Sequence, residues 1–195
     1  SVFANAGKRC NPWIITKVTD QMGNILQQTE PQRAGECSQV IDERNAFLME
    51  RFLNEVTRAG TAAKAQATLK RTDLYGKTGT TNDSVDTWFA GFQPTLAAVV
   101  WMGYDTPRSL GDRETGGGLS LPVWITFMET ALKDVPVDMP IAPEGVVNVA
   151  GDWYFEEFPP GPGRRPTFPR RVRPRTCTCC RSCATGGRSS PGIPR

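Results

Sequence analysis

At 195 residues, 38% hydrophobic and 22% charged, the chain is long enough for one buried core and has the composition of an ordinary globular domain. No stretch approaches ~18 consecutive apolar residues, and Ser1-Val2-Phe3-Ala4 lacks both the basic start and the apolar centre of a secretory signal, which excludes a membrane span or a leader within it. The net charge of +3 hides a division: residues 161–195 hold nine arginines and no acid, the first 160 hold 14 basic and 20 acidic side chains, so the basic excess does not mark the folded part as a nucleic-acid binder.

In chain order, Gly7 is a natural left-handed helix end, which puts the first residues inside an element already under way. A β-hairpin is predicted over about 13–28. Trp13–Asp20 and Ile25–Gln28 are its strands, and Gln21-Met22-Gly23-Asn24 supplies the turn. Residues 42–59 have helical period with Asp42 as N-cap and Gly60 as stop, and the stripe Phe47, Phe52, Val56 is expected in the core. Ala62–Leu69 adds about two helical turns. Three antiparallel strands follow at about 74–81, 86–92 and 96–104, with Asn82-Asp83-Ser84 and Gln93-Pro94 turning the chain. The third, Leu96–Met102, is nearly all apolar and is expected to be buried on both faces. Trp88, Phe89, Phe92 and Trp101 are read as packing residues. Gly103–Gly118 is a polar connection whose glycine triplet has no phosphate-loop pattern around it. Pro122 sits in the first turn of a helix over 122–133 that packs on the sheet, and 135–149 is an extended surface segment.

The stretch with chemical content is Leu74-Tyr75-Gly76-Lys77-Thr78-Gly79-Thr80-Thr81-Asn82. As a strand it places the hydroxyls of Thr78 and Thr80 on one side, beside the Lys77 ammonium and a backbone bared by Gly76 and Gly79. Such a set grips a carboxylate, and exposed edge N–H groups can hold a peptide or an oxyanion. Lys77-Thr78-Gly79-Thr80-Thr81-Asn82-Asp83 followed by Asp86-Thr87-Trp88-Phe89-Ala90-Gly91-Phe92 resembles the third active-site motif of the penicillin-binding proteins and its next strand. It is most similar to the bifunctional class A branch, in its type 1A form. Phe3-Ala4-Asn5-Ala6-Gly7, the Glu114-Thr115-Gly116-Gly117 stretch and the aromatic-acidic run Gly151–Phe158 extend the likeness, which stops near residue 158.

The resemblance implies an α/β fold of α+β layers, an antiparallel sheet covered by helices and incomplete at the N-terminus. Residues 1–149 would be the C-terminal part of the transpeptidase domain, 150–160 an extension, and 161–195 a tail. It implies that Lys77 supplies positive potential, and that Thr78 and Thr80 bind the terminal carboxylate of the D-Ala-D-Ala stem peptide or of a β-lactam. Gly79 would allow close approach, and the Thr80 amide would be one oxyanion donor. No cofactor, metal or nucleic acid is implied. The family's Ser-x-x-Lys and Ser-x-Asn motifs are absent here. Thr61-Ala62-Ala63-Lys64 is the nearest imitation, and falling just after Gly60 it is read as coincidence. In the family both motifs come earlier, so they are expected upstream with a glycosyltransferase domain and a membrane anchor. The chain would work at the periplasmic face of the inner membrane, make no membrane contact itself and be inactive alone.

Cys10 and Cys37 bracket the hairpin; in an oxidising compartment they can pair, and two unpaired thiols are the alternative. Cys180-x-x-Cys183 has metal-ligand spacing, but without a histidine or a second spaced pair no zinc site is expected. The composition of the tail is that of disordered chain, and equally what GC-rich DNA gives when read out of frame. Other readings of the folded part are a piece of a serine β-lactamase or D,D-carboxypeptidase, and a non-catalytic peptide-binding module.

Overall fold

The structure, a computed structural model, describes residues 1–30 and 36–161. The first residues make one 3-10 turn, Phe3–Asn5, ended by Ala6 and Gly7 at φ of 49° and 83°. A Cβ at Gly7 would collide with the Ile41 carbonyl, so both φ and space require glycine there. Beside this turn β1 (Lys8–Arg9) pairs with β4 (Ser38–Gln39), and a Cys10–Cys37 disulfide joins them. Of the two states that the spacing leaves open, the cysteines adopt the paired one. Between them stands the hairpin β2 (Lys17–Thr19) and β3 (Ile25–Gln28). It is shorter than 13–28: Trp13–Thr16 lie outside the ladder, and Asp20 belongs to the turn, where its carboxylate accepts the N–H groups of Met22 and Asn24 at 2.9 and 2.8 Å.

Asp42 caps α1 (Glu43–Arg58), accepting the Arg44 N–H at 2.9 Å. Phe47 is buried, but Phe52 is 60% exposed, which corrects the predicted stripe. Five residues along a helix is roughly 140° round it, so the two rings cannot share a face. The buried face instead carries Ala46, Glu50 and Thr57. After the short α2 (Lys64–Leu69), β5 (Tyr75–Thr80), β6 (Thr87–Gln93) and β7 (Leu96–Met102) form an antiparallel sheet in that order. The helix α3 (Ser120–Ala131) lies on one face. Trp124 is its anchor, with Phe89 edge-on at 4.9 Å and its indole N–H on the Ala98 carbonyl at 3.2 Å. Leu74, Leu121, Ile125 and Met128 complete this core.

β7 is not buried on both faces. Ala98 and Val100 pack toward α3, while Ala97, Val99 and Trp101 alternate outward. Trp88 and Trp101 sit on that outer face, 6.1 Å apart and about two-fifths exposed, so they pack on each other and not in the core. An apolar run alone does not reveal that one face of an antiparallel sheet is open. Beyond α3, β8 (Val146–Val149) and β9 (Asp152–Phe155) form a hairpin where an extended segment and a separate extension are predicted. It docks on α1 through Trp153 edge-on to Phe47 at 5.0 Å and Glu157 on Arg44 at 2.8 Å. Residues Ser1–Pro159 make one compact unit. The readings of the tail, its disorder, its out-of-frame origin and the Cys180-x-x-Cys183 pair, lie outside the described residues. Among the described residues no helix is long and apolar enough to cross a membrane.

What fixes β5 is a buried carboxylate two residues before it. Asp73 is fully buried and takes the Arg71 guanidinium at 2.9 and 2.7 Å, the Gln93 amide at 3.1 Å and the Asp138 N–H at 3.1 Å. Burial alone would raise its pKa, but these donors hold it below the ordinary value. The folded value therefore lies below the unfolded ~3.9. Its stabilisation is complete above about pH 4 and is lost as pH falls through the folded value. Arg71→Met should destabilise by about 3–5 kcal/mol in urea melts at neutral pH, because it strands a buried charge. Adding Asp73→Asn to that variant should recover part of the loss and flatten the acid limb.

Candidate functional site

Two side chains of α1 aim β5. Asn54 donates its amide to the carbonyls of Thr72 and Leu74 at 2.7 and 2.9 Å, and the Thr57 hydroxyl donates to Leu74 at 2.6 Å. From there β5 pairs with β6 in unbroken register, Tyr75 opposite Phe92 through Thr80 opposite Thr87. β6 is its only partner among the described strands. Just past the strand end, the Thr81 N–H donates to the Asp86 carbonyl at 3.0 Å. An antiparallel ladder alternates hydrogen-bonded and non-bonded pairs. Counting back from Thr81, the Gly79 and Lys77 backbone groups therefore face β6, and those of Thr78 and Thr80 face the open edge. The Lys77 ammonium agrees with this phase, because it reaches the Thr78 carbonyl at 2.9 Å.

Lys77 is exposed, with no acidic partner among the described residues. The half-buried Thr78 shares a hydroxyl–hydroxyl hydrogen bond of 2.8 Å with Thr61. Thr80 is exposed, and its hydroxyl oxygen accepts the Gly116 N–H at 3.1 Å. Since that oxygen is used as an acceptor, its own hydrogen remains available to a ligand. Gly79 lies against Trp88, whose Cβ would be 3.3 Å from any Cβ at Gly79. The arrangement is a short bare edge with an ammonium, two hydroxyls and two outward amides. That is the equipment for holding a carboxylate and a developing oxyanion.

The four residues singled out in the sequence, Lys77, Thr78, Gly79 and Thr80, all lie on β5, and the structure adds two neighbours that sequence reasoning misses. Thr61, set aside as coincidence, comes from the turn between α1 and α2 to meet Thr78. Gly116 is noted as part of a polar connection and of the Glu114–Gly117 likeness, and neither reading puts it on the strand pair, where it lies. A Cβ there would strike the Trp88 carbonyl and stand 2.6 Å from the Gly79 carbonyl. Its requirement for glycine is one of space, and Thr115-Gly116-Gly117-Gly118 was the visible signal for it.

The family model described as the penicillin binding protein transpeptidase domain matches residues 1–128. Penicillin-binding protein 1A of Neisseria flavescens is 46% identical over 158 residues, covering 80% of this chain and 20% of that protein. The protein of the same name from Pseudomonas aeruginosa is 36% identical over 198 residues, covering 78% and 24%. Among solved structures, penicillin-binding protein 1A from Haemophilus influenzae superposes with a TM-score of 0.68 at 32% identity, covering 75% of this chain and 27% of that one. The chain thus spans only about a fifth to a quarter of the length of these curated relatives.

Two variants check the geometry of the strand. Thr61→Val removes the hydroxyl partner of Thr78 while keeping its shape, and should cost about 1 kcal/mol. Gly116→Ala should cost about 1–3 kcal/mol, because the new methyl must push the loop off Gly79 and Trp88, and should move the Thr80 amide resonance more than Thr61→Val does. Urea melts and ¹H–¹⁵N spectra read both. A Gly116→Ala chain as stable as the original would mean that the loop does not lie on the strand.

Proposed function

Because the chain belongs to the penicillin-binding protein transpeptidase family, we propose that Lys77-Thr78-Gly79-Thr80 forms the substrate-binding wall of a serine-type D,D-transpeptidase. The observation that carries this reading is the phase of β5: an exposed lysine and two outward threonine amides on an edge with no partner strand among the described residues. The Thr78 and Thr80 hydroxyls bind the terminal carboxylate of a D-Ala-D-Ala stem peptide, or the corresponding carboxylate of a β-lactam. Lys77 adds positive potential. The Thr80 N–H is one oxyanion donor, worth on the order of 10²–10³ in rate when such a donor is lost. Gly79 keeps the acyl chain close to the backbone.

The nucleophile is not in this sequence, which has no Ser-x-x-Lys and no Ser-x-Asn. In the longer protein a serine of the missing motif attacks the carbonyl between the two D-alanines and releases the terminal one. The acyl group then passes to an amine of a second stem peptide. We place an upstream glycosyltransferase domain and the membrane anchor in that longer protein, and the transpeptidase site at the periplasmic face of the inner membrane. The Cys10–Cys37 disulfide supports an oxidising compartment.

The purified chain should form no covalent adduct with a fluorescent penicillin. It should bind N-acetyl-D-Ala-D-Ala weakly and saturably, with amide shifts centred on 77–80. Lys77→Met should weaken that binding by roughly tenfold, as expected for loss of a charge-assisted contact. A penicillin adduct on any serine of this chain, or shifts that map away from β5, would overturn the reading.

A further inference from the structure

At the Tyr75 end of β5, away from Thr80, a cavity of about 180 Å³ opens between α1, the sheet and the segment 138–143. Its apolar walls include three aromatic rings, Phe47 from α1 and Tyr75 and Phe92 stacked at 5.0 Å between ring centres, beside prolines and Ile141 of the segment 138–143. Three carboxylates line it, Glu43, Glu50 and Asp138, and no basic side chain does. Glu43 and Asp138 are exposed, whereas Glu50 is only 6% exposed.

Glu50 is the anomaly. No described residue donates a hydrogen bond to its carboxyl group. Its neighbour Arg51 turns instead over the Phe47 ring, 4.8 Å from the centroid, with Nε and Nη2 themselves buried and unpartnered. A buried carboxyl ordinarily finds donors or gives up its charge. Here burial pushes it up to about 7, with only the charge of Arg51 pulling back. A single donor of positive charge inside the cavity would remove the anomaly.

We propose that this cavity binds a primary ammonium on a short aliphatic stem. The head sits on Glu50, with Asp138 and Glu43 drawing it in from solvent. The methylenes lie against the apolar surface of Phe47, Tyr75 and Phe92. The size fits: a cavity of about 150 Å³ holds benzene, so this one accommodates a stem and head of roughly six heavy atoms. Three carboxylates and no base among the lining residues favour a cation over an anion, and the volume is too small for a folded peptide. What fits is either the side chain of a lysine-like residue in a peptide or a free alkylamine.

The test uses the 195-residue chain, ¹⁵N-labelled, at fixed pH. Pentylamine, pentan-1-ol and N-acetyl-lysine methylamide are titrated separately. Pentylamine should give saturable shifts at the amides of Phe47, Glu50, Phe92 and Asp138, and pentan-1-ol should bind at least roughly tenfold more weakly. Glu50→Gln should weaken pentylamine by roughly ten- to a hundredfold, the worth of a charge-assisted hydrogen bond. That variant should still fold, because a neutral amide replaces a group that burial disfavours. Asp138→Asn, at an exposed position, gives a second and smaller loss. Binding of the lysine derivative as tight as that of pentylamine assigns the site to peptide side chains; binding of pentylamine alone assigns it to free amines, and either supports the proposal. Equal binding of the alcohol, unchanged affinity in a folded Glu50→Gln chain, or no saturable shift overturns it. Such a failure leaves the proposal for the edge of β5 standing, because that one is read at the amides of 77–80.

Discussion

Asp73 is the constraint on which the geometry of the site depends. One fully buried carboxylate gathers Arg71 from the turn ahead of β5, Gln93 from the end of β6 and the backbone of Asp138 from the segment beyond α3. Arg71 passes the tie on, donating to the carbonyls of Val135 and Pro136 at 2.6 and 2.9 Å. Three stretches far apart in sequence are thereby fixed at one point, and β5 leaves that point in one direction. Arg51, Asn54 and Thr57 show the neighbouring helix doing the complementary work: two of them clamp the Leu74 carbonyl, and the third stays against its own helix. A buried ion pair of this kind contributes less through its own attraction than through what its loss would strand. That is why it sets geometry more firmly than it adds stability.

The consequence at the other end of the strand is an open edge. With α1 gripping the backbone before Tyr75 and β6 pairing every residue to Thr80, only the outward amides and the side chains of Lys77, Thr78 and Thr80 remain available. The loop around Gly116 then closes over Gly79 from above and takes up an acceptor site on Thr80, which leaves that hydroxyl poised as a donor. Strand, helix and loop each remove one alternative use of these groups.

What the sequence discloses is local. Asp42 as a cap, Asp20 in a turn, Gly7 at a left-handed position and the alternation of Thr78 and Thr80 are all set within a few residues of themselves, by side-chain reach or backbone sterics. That Lys77, Thr78 and Thr80 share one short strand is legible for the same reason. Thr61 and Gly116 are not legible in this way, because their meaning lies in partners 17 and 36 residues away. The exposure of β7 was illegible for another reason: Leu96–Met102 is apolar on both faces, and only the fold decides that α3 covers Ala98 and Val100 but not Val99 and Trp101. The hairpin of β8 and β9 hid behind prolines and an aromatic run whose packing partner, Phe47, is a hundred residues earlier.

Two buried carboxylates, Asp73 just before β5 and Glu50 on α1, show how environment separates structure from chemistry. Asp73 and Glu50 are each almost wholly removed from water, and burial pushes both upward. Asp73 ends below its ordinary value because a guanidinium fork, a side-chain amide and a backbone N–H converge on it. Glu50 ends near 7 because burial outweighs the pull of Arg51, whose guanidinium lies over the Phe47 ring. A satisfied group of the first kind has no capacity left for a ligand, and replacing any donor only unmakes the fold. A group of the second kind keeps its full bonding capacity inside a walled space, where the low dielectric magnifies whatever charge arrives. The difference lies in the donors supplied by the rest of the chain, so Asp73 belongs to the scaffold and Glu50 to recognition.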